Sequence, residues 1–149
     1  MRRGNPTGLR VTLDTNVYLS AFLFQDGIIA DLWRFAEAGR YTVILSPFIV
    51  REFMEKLREK FKVSEAEREG IKRTVVRIAE IVQPKTVPSV IADDPDDDDH
   101  ILACVVTGKA DILVSRNQHL LRLKEYEGIP IVRPRDFLRT LGSDASDRS

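Results

Sequence analysis

The stretch Asp93-Asp94-Pro95-Asp96-Asp97-Asp98-Asp99-His100, with the apolar run Ile101-Leu102-Ala103-Cys104-Val105-Val106 behind it, decides how the rest of the chain is read. Six carboxylates crowd into eight positions, and their mutual repulsion is costly in any compact state. Two readings relieve that cost. A bound divalent cation takes hard oxygen ligands of this kind. A solvated loop capping the next helix also suits Asp, both at the N-cap and at the positive end of the helix dipole. The phase of that helix separates the acids. Over residues 98–107, Asp98 shares a face with Ile101, Leu102 and Val105, its i+3, i+4 and i+7 neighbours. That face is the apolar one, so Asp98 leans inward while Asp97 and Asp99 diverge from it. An inward carboxylate needs a partner or a metal, because an unpaired buried charge is very costly. A calcium-binding EF-hand loop is excluded. Asp94, Asp96 and Asp98 alternate like its first ligands, but Asp99 stands where Gly is needed and Val105 where Glu closes the loop.

The bounds around this stretch are those of one ordinary domain. The chain has 149 residues and a formal net charge of +0, so no global field draws in a polyanion. A nucleic-acid role must therefore rest on local basic patches or on metals. The single Cys excludes an intramolecular disulfide and reads as a small buried hydrophobe. No apolar run reaches membrane-spanning length and no secretory segment is present at the N-terminus, so the chain reads as cytoplasmic, with no membrane partner.

Taken in order, residues 1–8 form a polar, Gly- and Pro-containing flexible leader, residues 9–141 a single domain, and residues 142–149 a disordered tail. Leu9–Leu13 is a short β-rich run with Asp14 directly behind it. Asp14 or Thr15 can cap a helix from Val17 to Phe24, and a cap is the purely structural role for Asp14. Ile28–Ala38 is a second helix and Tyr41–Leu45 a second strand. Ser46-Pro47 opens a helix with Ser as cap and Pro in its first turn. Its apolar stripe is Ile49, Val50, Phe53, Met54, Leu57 and Phe61, and Glu52 lies off it, which periodicity alone assigns to solvent. Ser64–Ile81 is a further helix with a Ser64–Glu67 capping box. Lys56, Arg58, Lys60, Lys62, Lys72, Arg73 and Arg77 make this helical pair basic, a solvated face from which some residues could track a phosphate backbone. Val82–Ile91 is an extended connector. After the acidic stretch and its helix, Gly108 ends that helix and Asp111–Val114 is a strand. Ser115-Arg116-Asn117 is a turn and Gln118–Leu123 a short helix. Ile129–Val132 is the last strand, and Pro134–Leu141 the last helix.

Short apolar strands alternating with helices define an α/β fold. We read it as a three-layer α/β/α sandwich with a mostly parallel central sheet. Ligands in such folds bind beyond the carboxyl ends of the strands. Asp14 and Asn117 both follow strands, and the helix bearing Asp98 can bring its N-terminus to the same edge.

Several motifs in this order resemble the PIN-domain family, and more narrowly its branch of toxin components of toxin–antitoxin systems, the VapC-like ribonucleases. They are Leu13-Asp14-Thr15-Asn16, Ser46-Pro47 with Val50-Arg51-Glu52-Phe53, Asp94-Pro95-Asp96-Asp97-Asp98-Asp99-His100-Ile101-Leu102-Ala103, Ala110-Asp111 leading into Val114-Ser115-Arg116-Asn117-Gln118-His119-Leu120-Leu121, and Pro134-Arg135-Asp136-Phe137-Leu138. The resemblance runs from Arg10 to Leu141. It implies a metal-dependent endoribonuclease using Mg²⁺ or Mn²⁺, an RNA substrate, a homodimer, and an antitoxin protein as partner. By motif match Asp14, Glu52 and Asp98 are the catalytic acids. Asp14 and Asp98 ligate metal directly and Glu52 does so through water. Asp97 is the rival to Asp98, because the acidic run is one residue longer than the family pattern. Asn16 and Ser115 are supporting residues, Asn16 holding Asp14 or the scissile phosphate. Asn117 stands where family members carry a fourth acid, and it can offer only a neutral carbonyl oxygen. That departure keeps a second reading open, a degenerate, non-catalytic RNA-binding or interaction module. A small-substrate phosphohydrolase of the haloacid-dehalogenase type would need Asp where Asn16 stands. His100 and His119 read as helix residues rather than as acid–base groups.

Overall fold

Arg10–Leu13 (β1) and Thr42–Leu45 (β2) pair in parallel at the middle of the sheet, and both are strands whose side chains are buried on either face. That is the environment of a parallel strand covered by helices on both sides, and it explains their Val-, Ile- and Leu-rich sequences. A computed structural model describes residues 8–24, 27–91 and 98–147. Between and after these strands come Thr15–Leu23 (α1), Ile28–Glu37 (α2), Pro47–Glu59 (α3), Glu65–Ile78 (α4), Glu80–Ile81 (β3), Asp98–Thr107 (α5), Ile112–Val114 (β4), Gln118–Leu121 (α6), Glu125–Tyr126 (β5), Ile129–Val132 (β6) and Pro134–Asp147 (α7). The sheet order among the described residues is β3-β2-β1-β4-β6-β5, with every pair parallel except β5–β6. This is the three-layer α/β/α architecture read from the sequence.

The core runs between the central strands and the helices. Val11, Leu13, Ile44 and Leu45 meet Val17, Ile49, Leu102 and Val105 in one buried cluster. Helix α5 buries Ile101 through Val105 without a break, so it is a core helix rather than a surface one. Its end is packed tightly. A Cβ on Gly108 would lie 2.3 Å from Ile44 Cγ2, so only glycine lets the chain turn against β2 here. Burial of Cys104 pushes its thiol up to about 11, so it stays protonated as a small core residue.

The structure differs from the sequence reading at several boundaries. The helix assigned to Ser64–Ile81 stops at Ile78, because Glu80 and Ile81 pair with Ile44 and Leu45 as an edge strand. Arg10 holds that strand through its guanidinium, donating to Glu80 at 3.1 and 2.6 Å. Sheet pairing there overrides a helical period that continues locally. The β5 strand was not anticipated. Its turn to β6 is Glu127-Gly128, both with positive φ, the geometry of a two-residue hairpin. Helix α7 continues to Asp147, past Gly142 where the sequence reading ends it. A single Gly costs only about 1 kcal/mol relative to Ala in a helix, so it does not by itself end one. No helix among the described residues is long and apolar enough to cross a membrane.

Candidate active site

Parallel strands place their carboxyl ends on one edge, and here that edge collects the candidate residues. Asp14 follows β1, Ser46 follows β2, Ser115 follows β4 and Arg133 follows β6. The register seats Leu13 beside Val114, and the Asp14 amide donates to the Val114 carbonyl at 3.0 Å. Asp14 and Ser115, 101 residues apart, therefore leave the sheet side by side.

Asp14 occupies the N-cap position of α1, yet its side chain makes no capping hydrogen bond. Its carboxylate accepts instead from Ser115 Oγ at 2.8 Å. The group is 4 % exposed. Burial raises its pKa to about 6; the hydrogen bonds from Ser115 and the Thr15 backbone pull it down, Glu52 pushes it up and Lys56 opposes that. A desolvated carboxylate of this kind gains from a cation.

Ser115 Oγ also accepts from the Asn117 backbone amide at 2.9 Å. Asn117 in turn donates through Nδ2 to both Asp98 oxygens, at 3.2 and 3.0 Å. Asp98 is 2 % exposed, so its inward lean from helix phase agrees with its position in the fold. His119 brings Nδ1 to 3.7 Å from Asp98 Oδ2. The third acid enters from α3. Glu52 is half-buried, and the Thr15 hydroxyl donates to its Oε1. Periodicity put Glu52 in solvent; the packing of α1 against α3 turns it toward the sheet edge instead. Hydrogen bonds thus link Asp14 to Asp98 through Ser115 and Asn117, and Thr15, next to Asp14, binds Glu52.

Two supporting assignments change. Asn16 is exposed in the first turn of α1, and Ser115 does the holding of Asp14 expected of Asn16. The Asn117 oxygen is already engaged, because Oδ1 accepts the His119 amide at 2.7 Å as the N-cap of α6. What Asn117 turns to Asp98 is its donor side, not the carbonyl oxygen that sequence suggested. Asp97, the rival to Asp98, lies outside the described residues, as do Asp93, Asp94 and Asp96.

Sequence reasoning missed three residues. Thr15 reads as a cap, Lys56 as surface charge, and Asp99 as diverging from the core. Asp99 is buried, and its Oδ1 accepts the Val90 and Ile91 amides at 3.1 and 3.2 Å, pinning the connector to the start of α5. The i,i+4 spacing of Glu52 and Lys56 was the signal available for Lys56. His100 stacks on Phe48, centroids 4.1 Å apart and planes 10° apart, which clamps α5 to α3 beside their acids.

Among the described residues no group of three or more His, Cys, Asp or Glu side chains is placed to hold a metal ion. The donor set still fits a hard divalent cation held in an open site, since Mg²⁺ is commonly bound by one or two carboxylates plus water and substrate phosphate. A thiolate- or imidazole-rich site for a softer metal is not what these side chains make.

A family model described as PIN domain matches residues 10–119. No curated protein matches the chain. Among solved structures, VapBC2 from Rickettsia felis, bound to a DNA fragment from their promoter, aligns with TM-score 0.56 and 13% identity. That alignment covers 83% of this chain and 97% of the other. PAE2754 from Pyrobaculum aerophilum aligns with TM-score 0.57 and 12% identity, covering 95% and 94%. At such identities the likeness is one of fold.

Proposed function

Since this chain belongs to the PIN domain family, we propose that it is a metal-dependent endoribonuclease that hydrolyses RNA phosphodiester bonds. We read it as the toxin of a toxin–antitoxin pair. The observation carrying the reading is the continuous chain Asp14–Ser115–Asn117–Asp98, which joins two buried carboxylates at the carboxyl edge of a parallel sheet. A structural role needs no such convergence of desolvated acids, and their cost is offset when a cation binds.

Asp14 and Asp98 would hold Mg²⁺ or Mn²⁺ directly, with Glu52 acting through a water. The bound ion would lower the pKa of water and neutralise phosphate charge. The chain's own groups do the positioning. Ser115 fixes the rotamer of Asp14. Thr15 fixes Glu52, leaving the second Glu52 oxygen to orient an attacking water. Asn117 holds Asp98 from both oxygens and keeps it aligned with Asp14. In-line attack would leave 5′-phosphate and 3′-hydroxyl ends. A cytoplasmic location, a homodimer and an antitoxin partner belong to the same reading. The Rickettsia felis neighbour, a VapBC2 structure, supports the antitoxin part.

One observation favours a second reading, a non-catalytic RNA-binding module. The Asn117 oxygen is engaged as a helix cap, so Asn117 offers no fourth oxygen ligand beside Asp98. Calorimetric titration of Mn²⁺ into the wild type, Asp14→Asn and Asp98→Asn, with RNA cleavage assayed on the same samples, separates the two. The nuclease reading expects binding and cleavage in the wild type and loss of both in each variant. Metal binding without cleavage selects the second reading, and no metal binding removes the enzyme reading altogether.

A further inference from the structure

The edge that carries the acids also carries positive charge that the chemistry above leaves unused. Arg116 follows Ser115, Arg133 follows β6, and Arg135 stands in the first turn of α7. All three are exposed, and together with Ser20, Phe24 and Ile28 they line one cleft of about 480 Å³. Arg116 reaches across to α1, where it donates to Ser20 Oγ at 3.4 Å. Among the described residues none of the three arginines pairs with a carboxylate. The N-termini of α2 and α7 open on the same cleft, at Gly27–Ile28 and Pro134–Arg135, and their dipoles add to the positive potential. The same lining carries exposed apolar side chains: Phe24 is 60% exposed and Ile28 44% exposed.

Resting on the ribonuclease reading, we propose that this cleft binds the single-stranded RNA flanking the scissile bond. The three arginines take backbone phosphates and Phe24 takes the face of a base. The chain has no net charge, so attraction of a polyanion has to be local, and this is a local concentration of cations beside the acids. Guanidinium forks match phosphate oxygens in pairs. Phe24 and Ile28 carry no donor or acceptor to read a base edge, but an exposed ring accepts the face of any base. A duplex hides those faces, so the apolar lining selects a single strand. Arg116 is adjacent to Ser115, about 3.8 Å between Cα atoms, and Ser115 holds Asp14. The cleft therefore begins one residue from the group that holds Asp14. Arg116, Arg133 and Arg135 lie on a turn, a strand end and a helix start, and only the β1-β4-β6 order brings them together.

The test is fluorescence anisotropy of a labelled single-stranded RNA of about ten nucleotides, titrated with the full chain in EDTA at several KCl concentrations. Arg116→Gln, Arg133→Gln and Arg135→Gln should each weaken binding and flatten the log–log salt dependence by about 0.7 for every phosphate no longer neutralised. Phe24→Ala should weaken binding about five-fold or more and leave the salt slope unchanged. The same sequence as a duplex should bind more weakly, and Phe24→Ala should not affect it. The single substitutions are on the surface, so melts by circular dichroism should match the wild type and separate weakened binding from failure to fold.

Arginine variants that keep wild-type affinity and slope would overturn the proposal. So would weakening that arises instead in Lys72→Gln/Arg77→Gln on α4, or displacement of the RNA by polyglutamate at matched ionic strength with equal affinity, which would mark the cleft as a site for an acidic protein segment. Mn²⁺-dependent cleavage on the same samples keeps the two readings apart. A wild type that binds through the arginines and does not cleave leaves the cleft standing and removes the nuclease. One that cleaves while the arginine variants bind normally removes the cleft alone.

Discussion

The side-chain amide of Asn117 donates to both oxygens of Asp98, while its own oxygen caps α6 through the His119 amide. These bonds fix which end of the amide faces the acid, since a backbone N–H can only be met by Oδ1. A neutral donor therefore sits where a further acid would bring charge and oxygen.

Asn117→Asp keeps the cap, because Asp is as good an N-cap residue as Asn. It replaces the donor to Asp98 with a second carboxylate. Without metal the variant should lose about 1–3 kcal/mol, the range for a hydrogen bond to a charged group turned into repulsion. Mn²⁺ should restore that loss and bind more tightly or in higher stoichiometry than to the wild type. Thermal melts with and without Mn²⁺, read beside calorimetry, check both. An apo variant as stable as the wild type would show that the Asn117–Asp98 bond contributes nothing.

Asp14 sets a pH dependence with a definite sign. Its pKa is raised from 3.8 to about 6 in the fold, mainly by burial. The folded state therefore holds a proton that the unfolded state has released between those values. Without metal, stability rises as pH falls through this window, and the deficit is full above about pH 6. At 1.36 kcal/mol per pKa unit that deficit is at most about 3 kcal/mol. Asp14→Asn should thus melt higher than the wild type in EDTA at about pH 7, and the gap should close by about pH 4. Mn²⁺ affinity should run the other way, weakening as pH drops through about 6. A gap that does not change with pH would remove the desolvation account.

Gly108→Ala places a methyl group 2.3 Å from Ile44 Cγ2, against a fully buried side chain. Overpacking of a dense core costs about 1–3 kcal/mol. Urea denaturation should show a lower midpoint with an unchanged slope. Gly70→Ala, which meets only the end of the Arg73 side chain at 3.9 Å on α4, should be neutral or stabilising.

The Phe48–His100 stack joins the helices that carry Glu52 and Asp98. A Phe48→Ala/His100→Ala double-mutant cycle should return a coupling of about 0.5–1.5 kcal/mol. Each single variant should also weaken Mn²⁺ binding, because the two acids lose a fixed separation. Coupling near zero would mean that α3 and α5 are held without it.

Much of this was open to a reader of the chain alone. Strand-then-acid at Leu13-Asp14, the Ser46-Pro47 cap and the phase of Asp98 are all local features. Helix and strand periods act over a few residues, so apolar spacing determines them. By the same local logic Glu52 pointed to solvent, and β3 was absorbed into α4. The tertiary structure decided otherwise through long-range contacts: α1 against α3 for Glu52, and β2 pairing for Glu80-Ile81. It also made Ser115, 101 residues away, the partner of Asp14, and turned the donor side of Asn117 toward Asp98. Which residues meet at the carboxyl edge depends on strand order. Strand order follows from packing of whole elements, which no local pattern of apolar and polar residues encodes.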